Sequence, residues 1–235
     1  MKTGGAFSPI FPRNGKRAVV LCDGPPPPHS VFTYWLDGAD LFLCADRAGY
    51  PYDHLPRRPD VVIGDFDSLA GDLPENPGGP RFIHCPDQDT TDSEKALLHA
   101  EANGCVEAVL LGATGWLLDH TLFNCSLPER FAGRLAICLA SAHDTTLRLG
   151  PGEELSWKIP EGTGFSLMPL VGPVSGVRIS GAAFPLSGAR IEIAGGPAAI
   201  SNRVIAPPLV VSVAGGSLLV SVRHEDPSAL QGNRG

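Results

Sequence analysis

Charged side chains are scarce in this sequence, and clusters of basic residues are scarcer still. Asp, Glu, Lys and Arg make up only 18% of the 235 residues, and the formal net charge is −7. No run of Lys and Arg is longer than a pair such as Arg57-Arg58. Proteins that bind nucleic acid carry a basic footprint. The sequence therefore predicts no nucleic-acid partner.

Cys-x-x-Cys pairs are also absent, although the chain contains six cysteines. Most of them lie in apolar segments, and their spacing matches neither a zinc site nor a disulfide framework. Free cysteines are among the most buried residue types, and they persist in reducing compartments. We therefore expect six buried free thiols in a cytoplasmic protein.

Long apolar runs are missing as well. No segment approaches the roughly 20 apolar residues that a membrane-spanning helix needs. The N-terminal stretch MKTGGAFSPIFPRNGKRAVVLCDG has no apolar run of the length found in a signal peptide. The sequence predicts neither a membrane partner nor export.

Short apolar runs alternate with helical segments in the first half of the chain. RAVVLCDG, ADLFLCADRAGY, PDVVIGDFDS, RFIHCPDQD, VEAVLLGATG and RLAICLAS are the apolar runs. Helices are predicted from about Asp92 to Asn103 and from about Leu117 to Phe131. Such alternation favours an α/β domain over residues 1–145, with a Rossmann-like, mostly parallel sheet and helices on its faces.

The pattern changes near residues 144–155, DTTLRLGPGEEL. Beyond them no convincing helix is indicated, and short strand candidates are separated by Gly and Pro. We expect residues 146–235 to form a small all-β sandwich domain.

Acidic and amide side chains follow the predicted strands of the first half, where each strand ends. They are Asp23, Asp46, Asp65, Asp67, Gln88 and Asp89. The carboxyl ends of parallel strands meet at one edge of a sheet, where ligands bind. So many like charges require a cation, and hard oxygen ligands suit Mg²⁺.

The stretch VVIGDFDSLA places two carboxylates two residues apart at the end of a buried strand. If the chain stays extended past Gly64, Asp65 and Asp67 point to one side and Phe66 points into the core. The alternative is that both aspartates serve only to form a turn, which Asp commonly does.

The stretch PDQDTTDSEKALL, residues 86–98, contains the capping-box pattern Thr91-x-x-Glu94. It predicts a helix with Asp92 in its first turn, near the positive end of the helix dipole. Lys95 follows one turn in. It could neutralise a carboxylate or contact a phosphate, or it could be a solvated surface lysine.

The stretch LGATGWLLDHTLFN, residues 111–124, leads from a strand through a glycine-bearing loop into a helix. Backbone N–H groups of such a loop can face a phosphate, although the GK[ST] ending of a Walker loop is absent. His120 and Asn124 are four residues apart, which predicts that they share one helix face.

Taken together, these stretches resemble the thiamine pyrophosphokinase family. The matching segments in the first half are CADRAGY, IGDFDSL, PDQDTTDSEKAL, LGAT and LDHTLFN. SLMPL, GVRISGAAFPLSGARIEI and AAISN follow in the second half, so the resemblance covers about residues 18–222. GDFDS followed by QDxTDxEKAL at this spacing is the specific part.

The resemblance implies a homodimer with sites at the subunit interface. Its reaction moves the terminal pyrophosphoryl group of ATP to the hydroxyethyl oxygen of thiamine and releases AMP, with Mg²⁺. The implied roles are metal binding by Asp65, Asp67 and Asp92, and catalysis by these three with Asp89. ATP contacts are implied for Asp46, Arg47, Ser68, Gln88, Thr91, Lys95, Asp119 and His120, and thiamine contacts for Ser201 and Asn202.

One segment departs from the family pattern. Leu117 stands where the family has arginine, and Trp116 stands where it has glycine. Arginine binds phosphate with two N–H groups, so this replacement is not conservative. Two other functions therefore stay open: a pyrophosphokinase acting on a pterin-type alcohol, and a thiamine- or nucleotide-binding protein without catalysis.

Overall fold

The computed structural model describes residues 11, 13–67, 79–169 and 171–223. Residues 13–142 form one compact unit, and the described residues from 143 to 223 form a second unit. The predicted boundary at residue 145 falls inside a strand that begins at Asp144, because the polar start of that strand, Asp-Thr-Thr, resembles a loop in the sequence.

The first unit is a mixed α/β structure. Its strands are β1 (Arg17–Leu21), β2 (Leu41–Ala45), β3 (Val61–Gly64), β4 (Arg81–His84), β5 (Glu107–Leu111) and β6 (Ala136–Ala140). They are hydrogen-bonded in the order β6-β5-β1-β2-β3-β4, and every one of these pairs is parallel. β1, β3 and β5 are buried along their whole length, as strands covered on both faces are.

Three α-helices accompany these strands: α1 (His29–Asp37), α2 (Asp92–Ala102) and α3 (Leu118–Arg130). The predictions for α2 and α3 are confirmed to within a residue or two at each end. α1 was not predicted, because its first residue follows a run of four prolines and its N-cap, Pro28, makes no side-chain cap. Its buried residues Val31, Phe32, Trp35 and Leu36 nevertheless form one helix face.

A buried ion pair fixes the amino ends of two central strands. Nε of Arg17 in β1 donates to Oε1 of Glu107 in β5 over 2.8 Å, and both side chains are buried. The guanidinium of Arg17 also lies over the ring of Trp35 from α1. Because buried charges are stable only when paired, this contact specifies how β1, β5 and α1 align.

The second unit is built from strands in its described residues. They are β7 (Asp144–Leu149), β8 (Glu154–Trp157), β9 (Gly164–Pro169), β10 (Val174–Ser180), β11 (Leu186–Ile191), β12 (Asn202–Arg203), β13 (Leu209–Ser212) and β14 (Leu218–Arg223). Antiparallel pairing gives two sets, β12-β9-β14-β7 and β11-β10-β13-β8. The predicted strands are present, while β7 and the two-residue β12 were not predicted.

Candidate functional site at the carboxyl ends of the parallel strands

The strand order of the first unit reverses between β5 and β1. From β1 the chain adds β2, β3 and β4 on one side, and β5 and β6 lie on the other side. In open parallel sheets, ligands bind outside the carboxyl ends of the strands at such a reversal. The loops that follow β1 and β5 are therefore the expected centre of the site.

These two loops touch through their backbones. The Gly24 N–H donates to the Gly112 carbonyl over 2.9 Å, just beyond the bond from the Cys22 N–H to the Leu111 carbonyl. A Cβ atom on Gly24 would lie 2.2 Å from the Gly112 oxygen, which is far inside contact distance. Only glycine at position 24 lets the two loops approach this closely. Sequence reasoning missed this pair, because the glycines are 88 positions apart and only the strand order joins them.

The chain turns immediately after β3 instead of staying extended. Phe66 has a φ of 57°, in the left-handed region, and the N–H of Asp67 donates back to Oδ1 of Asp65 over 3.2 Å. The expectation of an extended Asp65-Phe66-Asp67 segment is therefore wrong. An aspartate side chain that bonds the backbone two residues later forms an Asx turn, and this local bond competes with the strand.

The expectation that Phe66 anchors this turn in the protein interior is confirmed. Its side chain is buried, and its ring lies edge-on to Phe82 and stacked against His84, both on the neighbouring strand β4. Asp65 is half-buried and Asp67 is exposed. The two aspartates thus form a turn and also stand at the edge where a ligand would bind.

Asp46 lies against the end of β3. Its N–H donates to the Ile63 carbonyl over 2.8 Å, and its φ of 49° turns the chain away from β2. A Cβ on Gly64 would lie 2.9 Å from Cα of Asp46 and 3.0 Å from its Oδ1. The glycine before Asp65 therefore makes room for the aspartate that follows the neighbouring strand.

Asp65 belongs to a bonded group of four side chains. Gln88 donates from Nε2 to its Oδ2 over 3.0 Å, and Lys95 Nζ lies 3.9 Å from the same oxygen. Lys95 Nζ also donates to Oδ1 of Asp92 over 2.9 Å. The structure thus brings together Asp65, Gln88, Asp92 and Lys95, which the sequence placed on two separate segments.

The same contacts shift the ionisation of these groups. The N–H of Asp67 and the amide of Gln88 hold the pKa of Asp65 below its ordinary value, so this carboxylate is charged at neutral pH. Burial raises the pKa of Asp92 against the opposing bond from Lys95. Burial by itself would lower the pKa of Lys95, but the bond and charge of Asp92 outweigh it and raise that pKa. Lys95 is therefore an ammonium ion at neutral pH.

Only one of the two hydrogen bonds of the predicted capping box forms at the start of α2. Thr91 is the N-cap, and its Oγ1 accepts from the N–H of Glu94. The reciprocal half of the capping box does not form. Oε1 of Glu94 instead accepts two bonds from Arg130 of α3, and its Oε2 is buried without a hydrogen-bond partner among the described residues.

The loop before this cap is a second acidic turn. Asp87 accepts from the N–H of Asp89 over 3.1 Å and from the hydroxyl of Thr90 over 2.5 Å. These two contacts hold the pKa of Asp87 below its ordinary value. Asp89 itself is exposed at the turn, so its carboxylate faces solvent at the same end of the first unit.

The loop between β5 and α3 exposes both polar and apolar side chains. Asp119 accepts from the N–H of His120, and both residues are exposed in the first turn of α3. Asn124 is buried and donates to the Ala113 carbonyl. His120 and Asn124 lie four residues apart in α3, as expected, but their environments differ: the amide of Asn124 bonds the loop backbone while His120 faces solvent.

Leu117 and Trp116 lie in this same loop. Leu117 is the N-cap of α3 and is half exposed, and Trp116 is 72% exposed. Within the described part of the chain, no side chain caps this helix end. Arg47, which follows Asp46, is exposed and its Nε lies 4.0 Å from Oδ2 of Asp23.

Two of the predicted residues belong to the second unit. Ser201 has a φ of 58°, and its hydroxyl accepts from Arg223. Asn202 is buried: its Oδ1 accepts from the N–H groups of Phe184 and Arg203, and its Nδ2 donates to the Phe184 carbonyl. The amide of Asn202 is thus engaged inside the protein, and its direct effect is to hold the exposed Phe184 in place.

Replacing Asn202 by alanine is expected to lower the free energy of unfolding by about 1–3 kcal/mol, because it leaves the Phe184 N–H and C=O groups without their partner. Thermal melting measures the loss. Ser201→Ala is the matched control: Ser201 is exposed, so its loss of one bond should change stability by no more than about 0.5 kcal/mol. Equal melting temperatures for Asn202→Ala and the wild type would contradict this account of the loop.

The donor chemistry at the carboxyl edge fits a magnesium ion that binds together with a phosphate ligand. Among the described residues, no three His, Cys, Asp or Glu side chains form a group that could hold a metal ion by themselves. Mg²⁺ usually keeps several waters and binds one or two carboxylates plus substrate phosphates. The half-buried Asp65 and the exposed Asp67 provide such carboxylates. Ser68, a predicted ATP contact, lies outside the described residues.

No helix within the described ranges is long and apolar enough to span a membrane. All six cysteines are free thiols, four of them buried. The expectation of free thiols is confirmed, but the expectation that all six are buried is wrong, since Cys85 and Cys125 are only partly buried.

A comparison with known protein families matches most of the first unit. Residues 32–138 match the family model of the thiamin pyrophosphokinase catalytic domain. That range contains β2 to β5 and most of the polar residues described above. The resemblance noted in the sequence is therefore confirmed. No curated protein matches the chain.

Solved structures of similar fold cover nearly the whole chain. The thiamin pyrophosphokinase from Geobacillus thermodenitrificans is 25% identical with a TM-score of 0.73, covering 89% of this chain and 98% of its own. The Bacillus subtilis enzyme is 21% identical with a TM-score of 0.75 over 89% and 100% of the two chains. The yeast enzyme is 13% identical with a TM-score of 0.75 over 96% and 92%. The last two show a shared fold.

Proposed function

We propose that this chain, which carries a thiamin pyrophosphokinase catalytic domain over residues 32–138, is an ATP-dependent thiamine pyrophosphokinase. It transfers the pyrophosphoryl group of ATP to the hydroxyethyl oxygen of thiamine and releases AMP. The observation that carries this proposal is the catalytic-domain match, within which Asp65, Gln88, Asp92 and Lys95 form one bonded group at the edge of a parallel sheet.

The chain's own residues account for positioning and charge in this reaction. The thiamine hydroxyl oxygen attacks the β-phosphorus, the bond to the α–β bridging oxygen breaks, and AMP leaves. Phosphoryl transfer of this kind depends on alignment and neutralisation of charge more than on covalent chemistry. Gln88 and the Asp67 N–H fix Asp65, and the bond from the Gly24 N–H to the Gly112 carbonyl holds the loops after β1 and β5 together.

A magnesium ion would be held by Asp65 and Asp67, with Asp92 as a further ligand from α2. When bound, it would neutralise negative charge on the phosphates. Two carboxylates are candidates to accept the proton of the thiamine hydroxyl. Asp89 is exposed at the turn before α2, and burial raises the pKa of Asp92 above its ordinary value.

The second unit supplies the proposed thiamine contacts, Ser201 and Asn202. Asn202 acts through Phe184, whose exposed ring it holds, and a flat aromatic face suits a heterocyclic cation. A homodimer with sites at the subunit interface is also proposed. It is supported by the large apolar side chains that this unit exposes: Val171, Phe184, Ile193, Ile200 and Ile205.

We also propose a fold for each unit and a cellular location for the protein. A Rossmann-like arrangement is supported in the first unit by six parallel strands with one reversal of order between β5 and β1. A β-sandwich is supported in the second unit by two antiparallel sets of strands. A cytoplasmic location is supported by six free thiols.

A direct assay tests the proposed activity. Purified protein with Mg²⁺, ATP and thiamine should form AMP and thiamine pyrophosphate in equal amounts, measured by chromatography. Product formed only from a pterin-type alcohol would favour the second function, and thiamine binding without product would favour a binder. The binder alternative is motivated by Leu117, whose side chain offers no N–H group to a phosphate where the family has arginine.

A further inference from the structure

Lys95 is an unusually buried lysine. Its side chain is only 3% exposed, although it lies in the first turns of α2 beside acidic groups that solvent reaches. Lysine is almost never fully buried unless its charge is paired. The burial therefore indicates that the ammonium group has a fixed place and a fixed set of partners.

Those partners are Asp65 and Asp92, two of the three carboxylates proposed to hold metal. Lys95 Nζ lies 2.9 Å from Oδ1 of Asp92, on its own helix, and 3.9 Å from Oδ2 of Asp65, which follows β3. The amide of Gln88 donates to the same oxygen of Asp65. In this arrangement one positive charge already stands between the two carboxylates.

This placement opposes the binding of a free divalent cation. An ion coordinated by both carboxylates would lie within a few ångströms of the ammonium, and like charges at that distance repel strongly in a partly buried site. The described residues also contain no group of three ligands that could outweigh this repulsion. A triphosphate changes the balance, since it adds several negative charges that can face both the metal and Lys95.

We propose that Lys95 is a positioning residue whose ammonium group occupies the position of a cation between Asp65 and Asp92. As a result, the nucleotide-free protein binds divalent metal poorly and binds it together with the triphosphate. The identification of the triphosphate as ATP rests on the proposed function. The weak binding of free metal follows from the geometry alone.

Titration of the nucleotide-free protein with Mn²⁺, followed by electron paramagnetic resonance, tests the proposal. The wild type should bind Mn²⁺ with a Kd no tighter than roughly 1 mM, the weak end of carboxylate sites. Lys95→Met should bind at least about tenfold more tightly, because removal of the ammonium leaves two facing carboxylates unneutralised. Lys95→Arg keeps the charge and should bind as weakly as the wild type.

Lys16→Met is the matched control. Lys16 is exposed before β1, at the amino ends of the parallel strands, and its removal changes the net charge by the same amount. It should leave Mn²⁺ binding unchanged. In the presence of ATP, the wild type should bind manganese at least about tenfold more tightly than without it.

Two results would overturn the proposal. One is tight Mn²⁺ binding by the nucleotide-free wild type, a result that needs no variant to fold. The other is a folded Lys95→Met protein, verified by circular dichroism and thermal melting, that binds Mn²⁺ like the wild type. Lys95→Gln is measured in parallel in case the methionine variant does not fold. None of these titrations depends on thiamine turnover, so failure of the proposed function would be seen separately.

Discussion

Replacing Asp65 by asparagine is expected to lower kcat for pyrophosphoryl transfer by about 10²–10³-fold, the size of effect that follows loss of one preorganised electrostatic group. The charge is lost, and the new amide would place N–H groups near the Gln88 amide and the Lys95 ammonium. Asparagine forms the same kind of turn as aspartate, so the bond from the Asp67 N–H and the fold should remain. Formation of AMP in the thiamine assay measures the change, and Asp67→Asn should give a loss of similar size.

Asp53→Asn is the control for this pair of variants. Asp53 is an exposed carboxylate paired with Arg58, so its neutralisation removes the same charge without touching the turn after β3. Its activity should match the wild type. Full activity in both Asp65→Asn and Asp67→Asn, with thermal melting unchanged, would refute their assignment to the metal and phosphate site.

Replacing Gly24 by alanine is expected to lower the free energy of unfolding by about 1–3 kcal/mol or more, and to abolish nucleotide binding. The added Cβ would lie 2.2 Å from the Gly112 carbonyl oxygen. That oxygen belongs to the backbone, so no change of rotamer relieves the overlap and the two loops must separate. Thermal melting and titration with ATP measure the two effects.

Gly38→Ala is the control for this substitution. Gly38 follows α1, and the nearest atom to an added Cβ is the Trp35 carbonyl oxygen at 3.9 Å, an ordinary contact. Its stability should lie within about 0.5 kcal/mol of the wild type. If Gly24→Ala melted at the wild-type temperature and still bound ATP, the close approach of the β1 and β5 loops would have no role in the site.

The sequence predicted the structure correctly where it depends on residues close to each other along the chain. The ends of α2 follow from the Thr91 cap and from Gly104, which lies just past the helix with a φ of 78°. It failed where the local signal was absent or ambiguous, as at α1 after the proline run. It was also wrong about the segment after Gly64, because periodicity cannot distinguish a continued strand from an Asx turn that begins with the same residues.

The candidate site, too, was predicted from the sequence only in part. The acidic residues at strand ends were found because the carboxyl ends of parallel strands share an edge, a rule that needs only the order of elements. Lys95 illustrates the limit of that rule. Its position on the helix was predicted, but three environments remained open for its ammonium group until the contacts with Asp92 and Asp65 were known.

The sequence by itself determined the class of elements, the segments that carry the chemistry and the family resemblance, because these depend on residue types at fixed spacing along the chain. The tertiary structure decided which of those residues touch. The approach of Gly24 to Gly112, the ion pair of Lys95 with Asp65 and the bonds from Asn202 to Phe184 all join residues from different segments. Such contacts depend on strand order and on burial, and neither quantity can be read from the spacing of residues along one chain.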